Sequence, residues 1–163
     1  MEYGTWWHEV LERFPWKESA DRHRCFVAAE AALAPELFRA RAKVELNLWL
    51  ESPLYQEMIM GNNRFLVELP FMGPMDGRSI IDGVMDLVVL VEDGSCRIVD
   101  WKTNRLRQGE TPAQHLRRLQ EIYAGQLQAY ADFFQKQAGL KVGGLHLYAT
   151  TTGQALDLLA QPD

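Results

Sequence analysis

Residues 79–102, SIIDGVMDLVVLVEDGSCRIVDWK, decide the fold because they carry two apolar strands joined by a turn. Ser79–Val91 is a long strand candidate. Gly83 lies inside it, which indicates a bulge or the close approach of another group. The EDGS segment (residues 92–95) is typical of a hairpin turn, and Cys96–Trp101 is the returning strand. The sequence therefore predicts an antiparallel hairpin in the sheet of the domain.

Two turn geometries are open for this hairpin, and they arrange its carboxylates differently. A two-residue turn at 93–94 would put Asp86 opposite Trp101, so that the two aspartates face opposite sides. A three-residue loop at 92–94, ending on a left-handed glycine, would put Asp86 opposite Asp100. A glycine in the third loop position suits the second geometry, but the sequence alone does not choose between them.

In the second register, Asp86 and Asp100 form a carboxylate pair about 5 Å apart across two strands. Like charges this close repel each other, and a divalent cation is the simplest compensation. Oxygen ligands with open water positions suit Mg²⁺ or Mn²⁺. Lys102 lies two residues after Asp100, on the same face, and can stabilise charge that develops on a phosphate. The alternative interpretation of Asp100 and Lys102 is a solvated ion pair at a sheet edge.

The first third of the chain has helical patterns. Thr5 is a candidate N-cap for a helix that ends near residues 14–15. A second helix is predicted over Glu18–Leu33, and Pro35 can open a third. The chain then changes to strand patterns.

The first strand is predicted over Arg64–Leu69, where apolar residues alternate with others. In that alternation Glu68 points away from the apolar residues Phe65, Val67 and Leu69, and it is not assigned as a ligand. Residues 70–78, PFMGPMDGR, contain turn-forming residues and are predicted to be a loop.

A long helix is predicted in the last third. Thr111 is a good N-cap, Pro112 fits the first turn, and Gln114 completes a capping box. The helix extends to about Gln137, with or without an internal break, and Gly139 ends it.

A final strand is predicted over Leu145–Thr150. The order of elements indicates an α/β fold with a mixed central sheet flanked by helices. The length of 163 residues suits one domain, with a helical part (1–60) and a part containing the sheet and the long helix (61–163).

Composition narrows the class of protein. The net charge of −5 argues against a domain that holds nucleic acid by bulk charge alone. The sequence has neither a membrane span nor a secretion signal. Cys25 and Cys96 are too far apart in sequence for a disulfide framework, which suits a reducing cytoplasm.

Four stretches together resemble the RecB/AddA-type nuclease domain of the PD-(D/E)XK superfamily. The hairpin GVMDLVVLVEDGSCRIVDWKTNR (83–105) is similar to the family's active-site hairpin. GTWWHEVLE (4–12) resembles its early helix, VELPF (67–71) the strand before the hairpin, and YAGQLQAYADFF (123–134) its QxxxY motif. The resemblance spans nearly the whole chain in family order and implies a restriction-endonuclease-like core.

The resemblance implies a role for each matching residue. His8, Asp86 and Asp100 would hold Mg²⁺, or Mn²⁺, together with the backbone carbonyl of Trp101, and Lys102 would be catalytic. The motif residues Gln126 and Tyr130 lie four apart, on one helix face, and would line the site or touch DNA; helix packing is their alternative role. Tyr123, on the same face, is interpreted as packing. Relatives with an iron–sulfur cluster use four cysteines, so no cluster is expected.

The implied activity is metal-dependent exonuclease cleavage of single-stranded DNA, in a domain excised from a larger helicase–nuclease that processes double-strand breaks. Helicase domains of the same polypeptide and a partner subunit would be its partners, and no phosphate-binding loop of a helicase occurs in the chain itself. Two alternatives are an inactive nuclease-like module that docks DNA or a partner protein, and a stand-alone nuclease.

Two further groups have open interpretations. Arg105 and Arg107, with the arginines at 117–118, form a basic cluster that either contacts phosphates or is a solvated helix start. The tryptophans Trp6, Trp7 and Trp16 are interpreted as core, or as an interface with other domains that would be exposed in an excised one.

Overall fold

The computed structural model describes residues 1–74 and 79–160. In this part of the chain, five helices and five strands follow one another. The helices are α1 (Tyr3–Glu12), α2 (Ala20–Leu33), α3 (Glu36–Glu51), α4 (Pro53–Ile59) and α5 (Pro112–Ala138). The strands are β1 (Arg64–Pro74), β2 (Ile80–Leu90), β3 (Cys96–Lys102), β4 (Val142–Ala149) and β5 (Gln154–Asp157).

The described strands form one sheet in the order β1-β2-β3-β4-β5. β1, β2 and β3 pair antiparallel, β3 and β4 pair parallel, and β4 and β5 pair antiparallel. The parallel pair needs a crossover connection, and α5 supplies it. The predicted α/β fold, with a mixed central sheet flanked by helices and a helical N-terminal third, is confirmed and is consistent with a restriction-endonuclease-like core.

Each face of the sheet has its own core. One face packs against α1–α4, and the three tryptophans at 6, 7 and 16 are buried there, so they belong to the core and not to an exposed interface. The other face packs against α5 through residues such as Leu119 and Leu127. No helix in the described ranges is long and apolar enough to cross a membrane.

The β2–β3 hairpin has the three-residue loop. Gly94 is left-handed, with φ of 83°. The backbone N–H of Val91 donates to the carbonyl oxygen of Ser95 at 2.9 Å, which closes the loop. The strand pairing that follows puts Asp86 in register with Asp100. The structure thus chooses between the two registers that the sequence left open.

α1 begins earlier than predicted. Its N-cap is Glu2, whose carbonyl accepts the N–H of Trp6 at 3.1 Å, and Thr5 lies inside the helix. The prediction of Thr5 as the cap was therefore wrong. Tyr3 explains the difference, because its ring is buried edge-on against Phe38 and so draws the preceding turn into the helix.

The other helices of the N-terminal third follow the predicted signals, with one addition. Ser19 caps α2 by accepting an N–H from the first turn, and Pro35 is the residue before α3. The short helix α4 was not predicted. Ser52 caps it and Pro53 fills its first position, so a start signal was present in the sequence.

β1 is longer than predicted, since it continues to Pro74 and pairs with the beginning of β2. The prediction of a loop over residues 70–74 was therefore wrong, and residues 75–78 lie outside the described ranges. β1 is an edge strand, where a proline without an N–H is tolerated. Pro70 and Pro74 thus interrupt the sequence pattern without interrupting the strand.

The C-terminal third confirms the predicted helix. Thr111 and Gln114 form the capping box, α5 is continuous, and Gly139 ends it with φ of 66°. β4 begins three residues before the predicted strand, at Val142, and the short edge strand β5 was not predicted.

Candidate active site

Three carboxylates lie in a row across three neighbouring strands. Glu68 of β1 is in register with Asp86 of β2, and Asp86 is in register with Asp100 of β3. Both aspartates are 8% exposed. We call these three residues the acidic row.

The faces of β1 and β2 change over at this row. Val67 packs on the core below α1–α4, whereas Leu69 packs on the core below α5. Leu87 and Met85 of β2 show the same change. Glu68 has φ of 48°, a left-handed conformation that is unusual for a residue other than glycine. The prediction that Val67 and Leu69 share one face was wrong because this residue reverses the alternation.

Asp86 takes the place of a backbone partner for β3. The N–H of Trp101 donates to Asp86 Oδ2 at 2.8 Å. The indole ring of Trp101 is buried in the core below α1–α4. This bond fixes the Asp86 carboxylate beside the end of β3.

His8 reaches the acidic row from α1. Its Nδ1 atom lies 3.2 Å from Glu68 Oε1 and 3.4 Å from Asp86 Oδ1. The ligand atoms of His8, Glu68 and Asp86 all lie within 4.8 Å of one another. Gly4, one turn earlier, allows this approach, because a Cβ there would be 3.0 Å from Thr103 Oγ1. The group offers one imidazole nitrogen and carboxylate oxygens, a donor set that divalent cations accept.

The electrostatics of the row show a shortage of positive charge. Burial and the charge of Asp100 raise the pKa of Asp86 to about 7. Burial also raises the pKa of Asp100, although Lys102 opposes the shift. Burial disfavours the charged form of His8, but the hydrogen bond to Glu68 and the nearby carboxylates outweigh it and raise its pKa. A bound cation would relieve this repulsion.

Lys102 lies between the acidic row and α5. Its Nζ is 2.6 Å from Asp100 Oδ2 and 4.3 Å from the centre of the Tyr123 ring. Burial lowers the pKa of Lys102, but the charge of Asp100 and its hydrogen bond raise it further, so the ammonium stays charged. The pair is not a solvated one, since the Lys102 side chain is only 18% exposed.

Gln126 and Tyr130 lie next to each other on α5, where Gln126 Nε2 donates to the Tyr130 hydroxyl at 2.9 Å. Tyr130 packs edge-on against Phe71, with ring centres 4.6 Å apart. Both rings cover Gly83, where a Cβ would lie 2.8 Å from Phe71 and 3.0 Å from the Tyr130 hydroxyl. The predicted close approach at Gly83 is confirmed, and it brings the motif pair to β2 three residues before Asp86.

The basic cluster divides into two parts. Arg118 donates to Glu110 through Nε at 2.7 Å and Nη2 at 2.9 Å, and thereby holds the loop before α5. This hydrogen bonding keeps the pKa of Glu110 below its usual value. The side chains of Arg105, Arg107 and Arg117 are exposed.

Sequence reasoning omitted Glu68 from the candidate ligands, yet the structure places it against His8. The alternation of β1 assigned it to the wrong direction because the pattern does not reveal a left-handed residue. The available signal was the charge itself, between two apolar residues of a strand and two positions before a proline.

With this fold and site, the chain belongs to the PD-(D/E)XK nuclease superfamily, whose profile matches residues 1–157. This confirms the predicted family. The chain is similar to one component of the ATP-dependent helicase/nuclease of Carboxydothermus hydrogenoformans, with 31% identity over 162 residues, 89% of this chain and 13% of the relative. The protein of the same name from Limosilactobacillus fermentum is 34% identical over 89 residues, 53% of this chain and 6% of the relative. The chain therefore spans a small part of each relative.

Proposed function

We propose that the chain is a divalent-metal-dependent deoxyribonuclease that digests single-stranded DNA from its ends. In this proposal it acts in the cytoplasm as the nuclease domain of an AddA-like helicase–nuclease that processes double-strand breaks. The observation that carries the proposal is the acidic row with Lys102 at its end, in a member of a nuclease superfamily.

The residues present fit a divalent cation. His8, Asp86 and Asp100 would hold Mg²⁺, or Mn²⁺, with the Trp101 carbonyl as a further oxygen ligand. Glu68 is a further candidate because its carboxylate lies in the same group of ligand atoms as His8 and Asp86. The raised pKa of Asp86 supports the fit, since two buried carboxylates are better accommodated when a cation neutralises them.

Each side chain has a task in this reaction. When bound, the cation supplies Lewis-acid polarisation of the phosphodiester and activation of water. Lys102 holds positive charge where negative charge develops on the phosphate, and Asp100 fixes the direction of that lysine at 2.6 Å. Water adds to phosphorus, the bond to one ester oxygen breaks, and that oxygen takes a proton.

The DNA strand and the partners are assigned from chemistry and from the relatives. Gln126 and Tyr130 would touch the strand, since their pair lies beside the site on α5. A net charge of −5 suits a module that receives DNA from a motor instead of gripping it alone. Helicase domains of the same polypeptide and a partner subunit would be that machinery, in keeping with the names of the relatives.

The test is cleavage of a labelled linear single strand at low salt, with Mg²⁺, with Mn²⁺ and with EDTA. We expect metal-dependent cleavage by the wild type and a loss of about 10²–10³-fold in Lys102→Ala and Asp100→Ala. Lys43→Ala, at an exposed lysine of α3, is the matched control. A circular single strand should resist digestion if the activity requires an end.

The outcomes separate the competing functions. Equal cleavage by Lys102→Ala and Lys43→Ala would refute the proposed site. A wild type that binds Mn²⁺ and DNA but cuts neither substrate would indicate a docking module. Full processive digestion without a motor would favour a stand-alone nuclease.

A further inference from the structure

The ammonium of Lys102 has two partners of different kinds. Asp100 Oδ2 lies at 2.6 Å, and the centre of the Tyr123 ring lies at 4.3 Å. A cation within about 6 Å of an aromatic ring centre is attracted by the electrons of the ring face. Tyr123 therefore does more than pack, although it also packs against the core below α5, as the sequence predicted.

The two partners differ in what happens when the site is loaded. Asp100 is also a candidate ligand for the cation, and its oxygens would then be shared between the cation and Lys102. The Tyr123 ring has no such second task. Lysine is a flexible four-carbon chain that loses its orientation easily, so the ring is the contact that keeps its direction when the carboxylate is engaged elsewhere.

We propose that Tyr123 is a positioning residue of the nuclease reaction, whose ring face holds the Lys102 ammonium against the site. This inference rests on the proposed function. Tyr123 belongs to α5 and Lys102 to the end of β3. The contact therefore ties the helix that carries Gln126 and Tyr130 to the strand that carries Asp100, and it places DNA-contacting and charge-stabilising groups at a fixed separation.

The ring and not the hydroxyl makes this contact. Tyr123→Phe should therefore keep activity within about two-fold, whereas Tyr123→Leu should lower kcat about ten-fold. Loss of packing alone could also impair the leucine variant. A substitution series of constant shape is needed to separate attraction to the ring from packing.

Phenylalanine analogues with one, two and three ring fluorines, inserted at position 123, provide that series. Each fluorine weakens the negative face of the ring while the packing volume stays nearly constant. We expect kcat to fall stepwise, about ten-fold in total, with KM and Tm nearly unchanged. The same series at Phe134, a ring of α5 packed on the same core, should leave kcat constant.

A second measurement does not depend on activity. With ¹³C-labelled lysine, the methylene protons next to Lys102 Nζ should show an upfield ring-current shift by NMR. The shift should persist in Tyr123→Phe and disappear in Tyr123→Leu. The signal is assigned by its absence in Lys102→Ala.

The outcomes are distinct. Absence of the ring-current shift would overturn the contact itself. A present shift with a constant kcat across the fluorinated series would overturn the positioning role and leave the proposed function intact. A wild type without metal-dependent cleavage would overturn the proposed function and the catalytic part of this inference together, while the NMR measurement would still report whether the ring holds Lys102.

Discussion

Glu68 lies in register with Asp86 at the point where β1 and β2 both change the core that they face. The left-handed conformation of Glu68, with φ of 48°, accompanies this change. Both carboxylates come within 3.4 Å of His8 Nδ1. Residues held in sparsely populated conformations tend to cluster at functional sites. The strained strand residue and the candidate ligand group are thus the same feature.

Replacing Glu68 by asparagine should separate stability from function. Asparagine tolerates the left-handed region better than glutamate, and the change removes one charge next to Asp86. We expect the free energy of unfolding in EDTA to rise by about 1 kcal/mol. The affinity for Mn²⁺ should fall, because a candidate ligand is shortened and neutralised.

Glu68→Gln is the matched control for that substitution. It removes the charge but keeps the length and the backbone preference of the side chain. If Glu68→Asn were no more stable than Glu68→Gln in urea unfolding, backbone strain would not be part of the site. If both variants bound Mn²⁺ as the wild type does, Glu68 would not be a ligand.

Asp86→Asn should stabilise the metal-free protein above neutral pH. The pKa of Asp86 is raised from 3.8 to about 7 in the folded state. The folded state therefore binds this proton more tightly than the unfolded state, and the wild type loses stability as the pH rises through that window. The variant lacks this loss, so its advantage should grow from pH 4 to pH 8 and reach about 1–3 kcal/mol.

The measurement is urea unfolding of both proteins in EDTA across that pH range. The difference between the two curves is the quantity of interest, because other titrating groups contribute to each curve equally. A difference that does not change with pH would contradict the raised pKa. Addition of Mn²⁺ should reverse the order of stability, since only the wild type should gain by binding.

Gly83→Ala should impair the site through the motif pair. The new Cβ would lie 2.8 Å from Phe71 and 3.0 Å from the Tyr130 hydroxyl, so at least one ring must move. We expect a loss of about 1–3 kcal/mol in stability and a lower rate of cleavage from the displacement of Tyr130.

The control for Gly83→Ala is Gly125→Ala on α5, where a Cβ has nothing within 4 Å. Alanine is the better helix former by about 1 kcal/mol, so this variant should be more stable with unchanged cleavage. Thermal unfolding and the single-strand assay test both variants together. Equal rates for the two would show that Tyr130 does not have to be held above Gly83.

Local chemistry made much of the fold predictable. The loop glycine at Gly94 favoured the register that aligns Asp86 with Asp100, and the structure adopts it. The capping box that starts at Thr111 marked the beginning of the long helix. In both cases a few neighbouring residues determine the geometry, and their types are visible in the sequence.

The missed features depend on contacts between distant residues. Glu68 reverses the strand alternation while it faces His8, which lies 60 positions earlier, and no local pattern reports that. The extension of β1 past Pro70 depends on its place at the sheet edge. The contact of Lys102 with Tyr123 requires the packing of α5 on the sheet, so the sequence could indicate a shared helix face but not the partner.

The central claim is that the acidic row and His8 form a divalent cation site, and the most direct test is a calorimetric titration of the protein with Mn²⁺. The account predicts binding by the wild type, loss of binding in Asp86→Asn, and unchanged binding in Glu121→Gln, which alters an exposed carboxylate of α5. A wild type that binds no Mn²⁺, or an Asp86→Asn variant that binds it equally well, would contradict the account.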